Sequence, residues 1–342
     1  MSSCGKDIKT TSSVVSAQVA PSDKKDACET RDQSTDESFG SRHLRDPDQV
    51  FDHNAWDNVE WDSDQEREAE AIVEQQRANP MPEDQQDTIS ADAALYWDRF
   101  YRVNQNRFFK DRNWLHLEFP ELFELPDQDR KERRVIMEVG CGAGNTFFPL
   151  LSSNQDPNLF AYCCDFSEEA VGVVKSNPAY DPKRGEAFVW DLSSKDLPTQ
   201  VEEGSVEVII LVFVLSALQP FEWEQAMENL YRLLKPGGII LFRDYGRYDL
   251  AQLRFKSGRY LAEHFYARGD GTRVYFFSSE ELNQVFGKRF EVLQNAVDRR
   301  LIVNRSRRLK MYRVWLQGKF RKPLEEHKVD QVEEGERKKA KH

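Results

Sequence analysis

The stretch Glu138-Val-Gly140-Cys-Gly142-Ala-Gly144-Asn145-Thr146 closes a β-rich run at 134–139 and opens a helical one at about 145–152. Three alternating glycines let the chain turn tightly, and a ligand can then approach N–H groups at a helix N-terminus. The spacing narrows the ligand. A dinucleotide fingerprint needs Gly or Ala at the sixth position, where Asn145 stands. No Walker lysine follows, which disfavours phosphate cradling.

Outward from this turn, strands and helices alternate. Further β-rich runs fall at 159–164, 186–190, 206–214 and 238–243, with helical stretches at about 167–175 and 221–234. This is the pattern of βαβ units and a parallel sheet covered on both faces. After 243 the pattern breaks for about 30 residues. A capping box, Ser278-Ser-Glu-Glu281, then opens a helix to Phe286, and two strands at about 290–297 and 311–320 follow.

Two acids stand where ligands bind in such sheets, beyond the carboxyl ends of strands. Asp165 ends the second strand and is placed to accept from both hydroxyls of a ribose. Asp191 ends the third, followed by Leu192, and is placed to receive an adenine amine beside an apolar wall. The glycine pattern with these acids resembles class I methyltransferases, which bind S-adenosylmethionine. The run Leu230-Tyr-Arg-Leu-Leu-Lys-Pro-Gly-Gly238 is similar to the helix end and turn before strand five of that fold. The resemblance implies a Rossmann-like α/β fold with a seven-stranded, mostly parallel sheet, here carrying an N-terminal arm and a basic insertion after strand five.

The 342 residues hold 48 basic and 59 acidic side chains, a net charge of −11. Taken whole, that argues against a nucleic-acid partner. The distribution reverses the argument. Residues 1–92 carry 9 Lys/Arg against 22 Asp/Glu, whereas 243–319 carry 17 against 8. The longest apolar run, Val208 to Leu218, is too short to span a bilayer, and no secretion signal opens the chain. The five cysteines form no CxxC pair, which gives no zinc site and suits a reducing, cytoplasmic setting. Four regions are expected: a disordered 1–38; an N-terminal region with an acidic linker, 39–132, to which the family resemblance given next assigns RNA-binding and cofactor-lid roles; a methyltransferase domain, 133–320; and a charged, disordered tail, 321–342.

Several segments carry a closer resemblance: Phe39-Gly-Ser-Arg42, Asn54-Ala-Trp-Asp-Asn-Val-Glu-Trp61, Phe108-Phe-Lys-Asp-Arg112, Arg243-Asp-Tyr-Gly-Arg-Tyr-Asp249 and Arg268-Gly-Asp-Gly-Thr-Arg-Val-Tyr-Phe-Phe277. They are similar to the methyltransferase-like family that makes 3-methylcytidine in tRNA, in the branch acting on threonine and some arginine tRNAs. The match runs over roughly 39–320. It implies methylation of cytidine 32 in the anticodon loop, with an auxiliary anticodon-binding-type protein for arginine tRNAs. It also implies cofactor contacts from Trp97, Tyr101 and Val212, besides Gly140, Gly142, Gly144, Asp165, Asp191 and Leu192.

Cytosine N3 has a free lone pair at neutral pH, so its methylation needs no strong base. The product is a cation, which a carboxylate at the exocyclic amine would stabilise. Asp244 is the first candidate, Asp249 the second, and Asp191 a third if its cofactor role is wrong. Single-stranded loops are read by aromatic stacking and by arginines. The basic residues expected to touch RNA are Arg42, Arg45, Lys110, Arg112, Arg247, Arg254, Arg268, Arg273, Arg299, Arg300 and Arg305. Interleaved with them are Tyr245, Tyr248, Phe255, Tyr260, Phe265 and Tyr266. Competing readings are a methyltransferase of a protein or small-molecule nitrogen, and a non-catalytic RNA-binding scaffold.

Overall fold

Val206-Glu-Val-Ile-Ile-Leu-Val212 is apolar on both faces, as a parallel strand buried under two helical layers must be. It lies near the middle of the sheet in the computed structural model, which describes residues 39–91, 93–124 and 132–324. The expectations for residues 1–38 and for the tail beyond 324 fall outside the described residues.

In chain order the elements begin with β1 (Ala55–Asp57), α1 (Ser63–Arg77), α2 (Glu83–Ala91), α3 (Ala93–Asn104) and the short α4 (Leu115–Glu118). The α/β core then supplies β2 (Arg134–Val139), α5 (Phe147–Ser153), β3 (Leu159–Asp165), α6 (Glu168–Ser176), β4 (Gly185–Val189), β5 (Val206–Val212), α7 (Trp223–Leu233) and β6 (Leu234–Tyr245). Last come α8 (Leu250–Leu253), β7 (Tyr260–Ala262), β8 (Phe265–Ala267), β9 (Arg273–Tyr275), α9 (Ser279–Phe286), and a long hairpin of β10 (Glu291–Asn304) and β11 (Leu309–Arg321).

The main sheet runs β1-β10-β11-β6-β5-β2-β3-β4. From β4 to β6 the pairs are parallel; β6, β11, β10 and β1 pair antiparallel. Seven of these strands form the expected sheet, and the arm adds an eighth. β1 pairs with Arg300–Ile302 and covers that part of the β10 edge. Trp56 anchors it, buried with Val50, Leu301 and Val303 while its indole N–H donates to the Val50 carbonyl at 2.9 Å.

The break after residue 243 is a second, three-stranded antiparallel sheet, β7-β8-β9. Its aromatics build a core of their own. Tyr266 and Phe276 are fully buried, and Phe255 stacks on Tyr266 at 4.8 Å. These interleaved rings therefore hold the insertion together, which corrects the expectation that Phe255, Phe265 and Tyr266 face RNA. A short insertion has little other apolar material from which to make a core.

Candidate functional site

Gly140, Gly142 and Gly144 all have positive φ, at +66°, +53° and +83°, a region costly for any residue with a Cβ. A side chain at 142 would also overlap the Tyr101 hydroxyl, so this glycine lets α3 close over the turn. The Gly142 N–H donates to Asp165 Oδ2 at 2.9 Å, and the Ser167 N–H to Oδ1 at 3.0 Å. Burial pushes the Asp165 carboxyl up to about 6 and the Glu138 carboxyl below the turn up to about 7. Arg112 steadies Glu138, its Nη1 donating to Thr146 Oγ1 at 2.5 Å and lying 3.4 Å from Glu138 Oε1. Tyr101 is held neutral by burial and stacks with Trp97, centroids 6.0 Å apart.

Over this turn lies a cavity of about 260 Å³. Gly140 forms its floor, Asp165, Asp191, Trp190 and Leu192 one side, and Ser90, Ala93, Ala94, Trp97 and Tyr101 from the α2–α3 region the other. Asp191 is exposed, its Oδ1 fixed by the N–H and hydroxyl of Ser193, each at 2.8 Å. Glycine backbone, two carboxylates beyond successive strand ends and an apolar wall suit a nucleoside with a diol and an amine. S-adenosylmethionine has that shape.

A second cavity, of about 440 Å³, adjoins the first. Trp97, Tyr101, Gly140, Phe213, Ala217 and Arg273 belong to both walls. Lys110, Arg112, Trp114, Val212, Ser216, Tyr245, Arg268, Asp270, Thr272, Arg313 and Trp315 line much of the rest, with Phe100, Phe108, Phe109, Cys141, Gly142 and Asn145, giving an aromatic and cationic chamber. Phe213 sits between the two with φ +60°, strained for a bulky side chain. Its N–H donates to the Arg243 carbonyl at 2.8 Å, and its ring lies 4.8 Å from that of Tyr245.

The cofactor residues read from the sequence converge on this turn, with differences. Val212 lines the second cavity, while its neighbours Phe213 and Val214 reach the first. Gly144 lines neither and instead shapes the turn above Phe148.

Asp244 does not present itself to a base. It is fully buried, its Oδ2 accepting the Ser216 N–H at 2.9 Å and its Oδ1 the Tyr245 N–H at 2.8 Å. Asp249 is likewise buried and bonded to Arg313 at 2.8 Å. Both carboxylates brace backbone, because β6 continues through Tyr245 and carries Asp244 inside the sheet.

Arg42, Arg45, Lys110, Arg254, Arg299 and Arg305 are exposed. The half-buried ones have partners: Arg247 bonds Glu281 at 2.7 Å, and Arg300 bonds Glu118 at 3.0 Å and Asp298 at 3.0 Å. Arg268 is half-buried and Arg273 only 5% exposed. Sequence reasoning missed Phe213, Ser216, Asp270 and the wall of Ser90, Ala91, Ala93 and Ala94. Asp270 had a signal inside the Arg268-Gly-Asp-Gly-Thr motif, and Ser216 one inside Leu215-Ser-Ala217, which carries the same resemblance. Among the described residues no cluster of His, Cys, Asp and Glu is fit to hold a metal, and no helix is long and apolar enough to cross a membrane.

A methyltransferase domain family model matches residues 137–240. The tRNA N(3)-methylcytidine methyltransferase trm140 of Schizosaccharomyces pombe is 53% identical over 289 residues, covering 84% of this chain and 93% of that protein. The tRNA N(3)-cytidine methyltransferase METTL2 of Danio rerio is 51% identical, covering 84% and 89%. The tRNA(Thr) (cytosine(32)-N(3))-methyltransferase of Saccharomyces cerevisiae is 51% identical, covering 83% of this chain and 46% of the longer yeast protein. Among solved structures, a SAM-dependent methyltransferase from Anabaena variabilis aligns with a TM-score of 0.48 at 16% identity, covering 68% and 95%.

Proposed function

The chain belongs to the tRNA N(3)-cytidine methyltransferases, and we propose that it methylates N3 of cytidine 32 in the anticodon loop of threonine tRNAs. The methyl donor is S-adenosylmethionine, which supplies a methyl group on a positively charged sulfur. The N3 lone pair forms the new bond to carbon while the carbon–sulfur electrons leave with sulfur, so no proton moves and the base becomes a cation. The chain's task is therefore placement and charge stabilisation.

The observation that carries this reading is the pair of cavities meeting at Gly140 and Phe213. Asp165 and Asp191 hold a nucleoside in one. The other is walled by Phe213, Tyr245 and Trp315 and receives a base turned out of its loop. β11 pairs with β6 only from Trp315 to Arg321. The hairpin therefore projects past the carboxyl ends of the parallel strands, the end at which both cavities lie. Exposed Arg299 and Arg305 on it, with Arg42 and Arg45 on the arm, suit the phosphates of an anticodon stem.

The same proposal includes a cytoplasmic location, consistent with the free thiols of Cys141, Cys163 and Cys164. It also includes arginine tRNAs taken with an auxiliary anticodon-binding-type protein. The test is methyl transfer to a panel of native and unmodified tRNAs, with the product nucleoside identified by mass. Formation of 3-methylcytidine in threonine tRNA is expected. Transfer to peptide and none to tRNA, with or without cell extract, would overturn it.

A further inference from the structure

The turn from Arg268 to Arg273 carries more polar chemistry than its fold requires. The Arg268 N–H donates to the Thr272 carbonyl at 2.7 Å, and the Gly271 N–H to the Arg268 carbonyl at 3.0 Å. Gly271, at φ +87°, packs so close to the Tyr96 ring of α3 that a side chain there would overlap it. The turn is thus pinned against the cofactor lid. It borders the second cavity with Arg268, Asp270, Thr272 and Arg273.

Arg273 is the anomaly. Its side chain is 5% exposed, its Nη1 is buried without a hydrogen-bond partner, and its Nη2 lies 3.9 Å from Glu222, too far for a hydrogen bond. A buried guanidinium with an empty donor is costly unless something completes it. Arg273 lies on the wall shared by both cavities, and the carboxylates that act on its guanidinium, Glu222 and Asp191, leave Nη1 without a hydrogen bond. Asp270 is the one carboxylate among the described residues lining the second cavity. Its Oδ1 accepts from the Thr272 N–H at 3.0 Å and hydroxyl at 2.7 Å, which sets the direction of the group.

We propose that this turn reads the Watson–Crick edge of the acceptor cytosine: Asp270 accepts from the exocyclic amine and Arg273 donates to the O2 carbonyl. The proposal rests on the cytidine reading above. Amine and carbonyl flank N3, so a carboxylate at one and a guanidinium at the other leave the lone pair facing the methyl donor. As N3 forms its bond to carbon and the carbon–sulfur pair departs with sulfur, positive charge spreads over N3, C4 and the amine. Asp270 meets that charge where it grows. Uracil offers Asp270 a carbonyl oxygen, and two acceptors repel, so the same contact rejects the wrong pyrimidine.

The experiment is a cycle between enzyme and substrate. Wild-type and Asp270→Asn enzymes are assayed on threonine tRNA carrying cytosine, or 2-pyrimidinone with no amine, at the acceptor position. Asn keeps an oxygen for the Thr272 bonds, and Arg273→Lys serves as the second variant. On cytosine, kcat should fall about 100-fold in Asp270→Asn, with SAM affinity and thermal midpoint unchanged. Removing the amine should slow the wild type strongly and Asp270→Asn little. Arg273→Lys should lower kcat, and removing the amine should slow it as strongly as it slows the wild type, because Arg273 addresses O2 and not the amine.

Equal losses from amine removal in both enzymes, or full kcat in Asp270→Asn, would overturn the inference. A fall that tracks lost SAM binding would overturn it too. If the wild type makes no 3-methylcytidine at all, the functional reading fails first. If the wild type makes it and the cycle is additive, only this inference fails.

Discussion

Asp165 ties the glycine turn to β3 through the Gly142 and Ser167 amides while bordering the cofactor cavity. Asp165→Ala should weaken SAM binding at least tenfold and leave tRNA affinity intact, read by calorimetry for each ligand. Because burial lifts this carboxyl to about 6, SAM affinity should also decline as pH falls through that value. Asp165→Asn should be weak and flat with pH. Glu138, at about 7, bears on stability instead. Its folded state takes a proton that the unfolded chain takes only near 4.5, so its contribution grows as pH falls between those values. Unfolding midpoints from about pH 8 to about pH 5 should therefore rise less for Glu138→Gln than for wild type. The glycines and Asp165 were legible in sequence because their spacing is set by one turn and one strand. Asp244 was misread because strand ends blur by a residue or two. Phe213 was invisible, since no local pattern announces a positive φ at an aromatic.

The strands and helices of the α/β core were legible from their apolar runs to within a residue or two, except that β6, expected at 238–243, runs from Leu234 to Tyr245. The arm strand was not, and the first hairpin strand was read only to about 297 where it runs to Asn304, because neither the arm nor the projecting part of the hairpin has a core of its own. β1 is held by pairing with β10, from Ala55↔Ile302 to Asp57↔Arg300, and by a single bridge to His43. Arg300 lies at that junction, 3.7 Å from Asp57 and 3.0 Å from both Glu118 and Asp298. It was expected to touch RNA; its carboxylate partners make it a strut between arm, α4 and hairpin. Arg299, one residue away on the opposite face, is exposed. The two should separate cleanly. Arg300→Ala should lower stability by about 1–3 kcal/mol and raise hydrogen exchange in β1. Arg299→Ala should leave the melting midpoint unchanged and reduce the salt slope of tRNA binding by about one. A reversed pattern would return Arg300 to the RNA surface.

At the scale of the molecule, net charge misleads where its placement informs. The −11 total is dominated by residues 1–92, while 243–319 carry a basic excess, of which Arg268, Arg273 and Arg313 line the second cavity. Part of that excess is internal: Arg243, bonded to Asp298 and Gln317, lies against Trp114 and Trp315 in the core. The remainder leaves a chamber of aromatic and cationic side chains joined to a nucleoside cleft, a plan suited to one donor and one extruded base. The most direct test is transfer of labelled methyl from S-adenosylmethionine to two threonine tRNAs that differ only at position 32. The cytidine form should yield 3-methylcytidine at that position and the uridine form none. Equal labelling of both, or label on the cytidine form at another atom, would contradict the account.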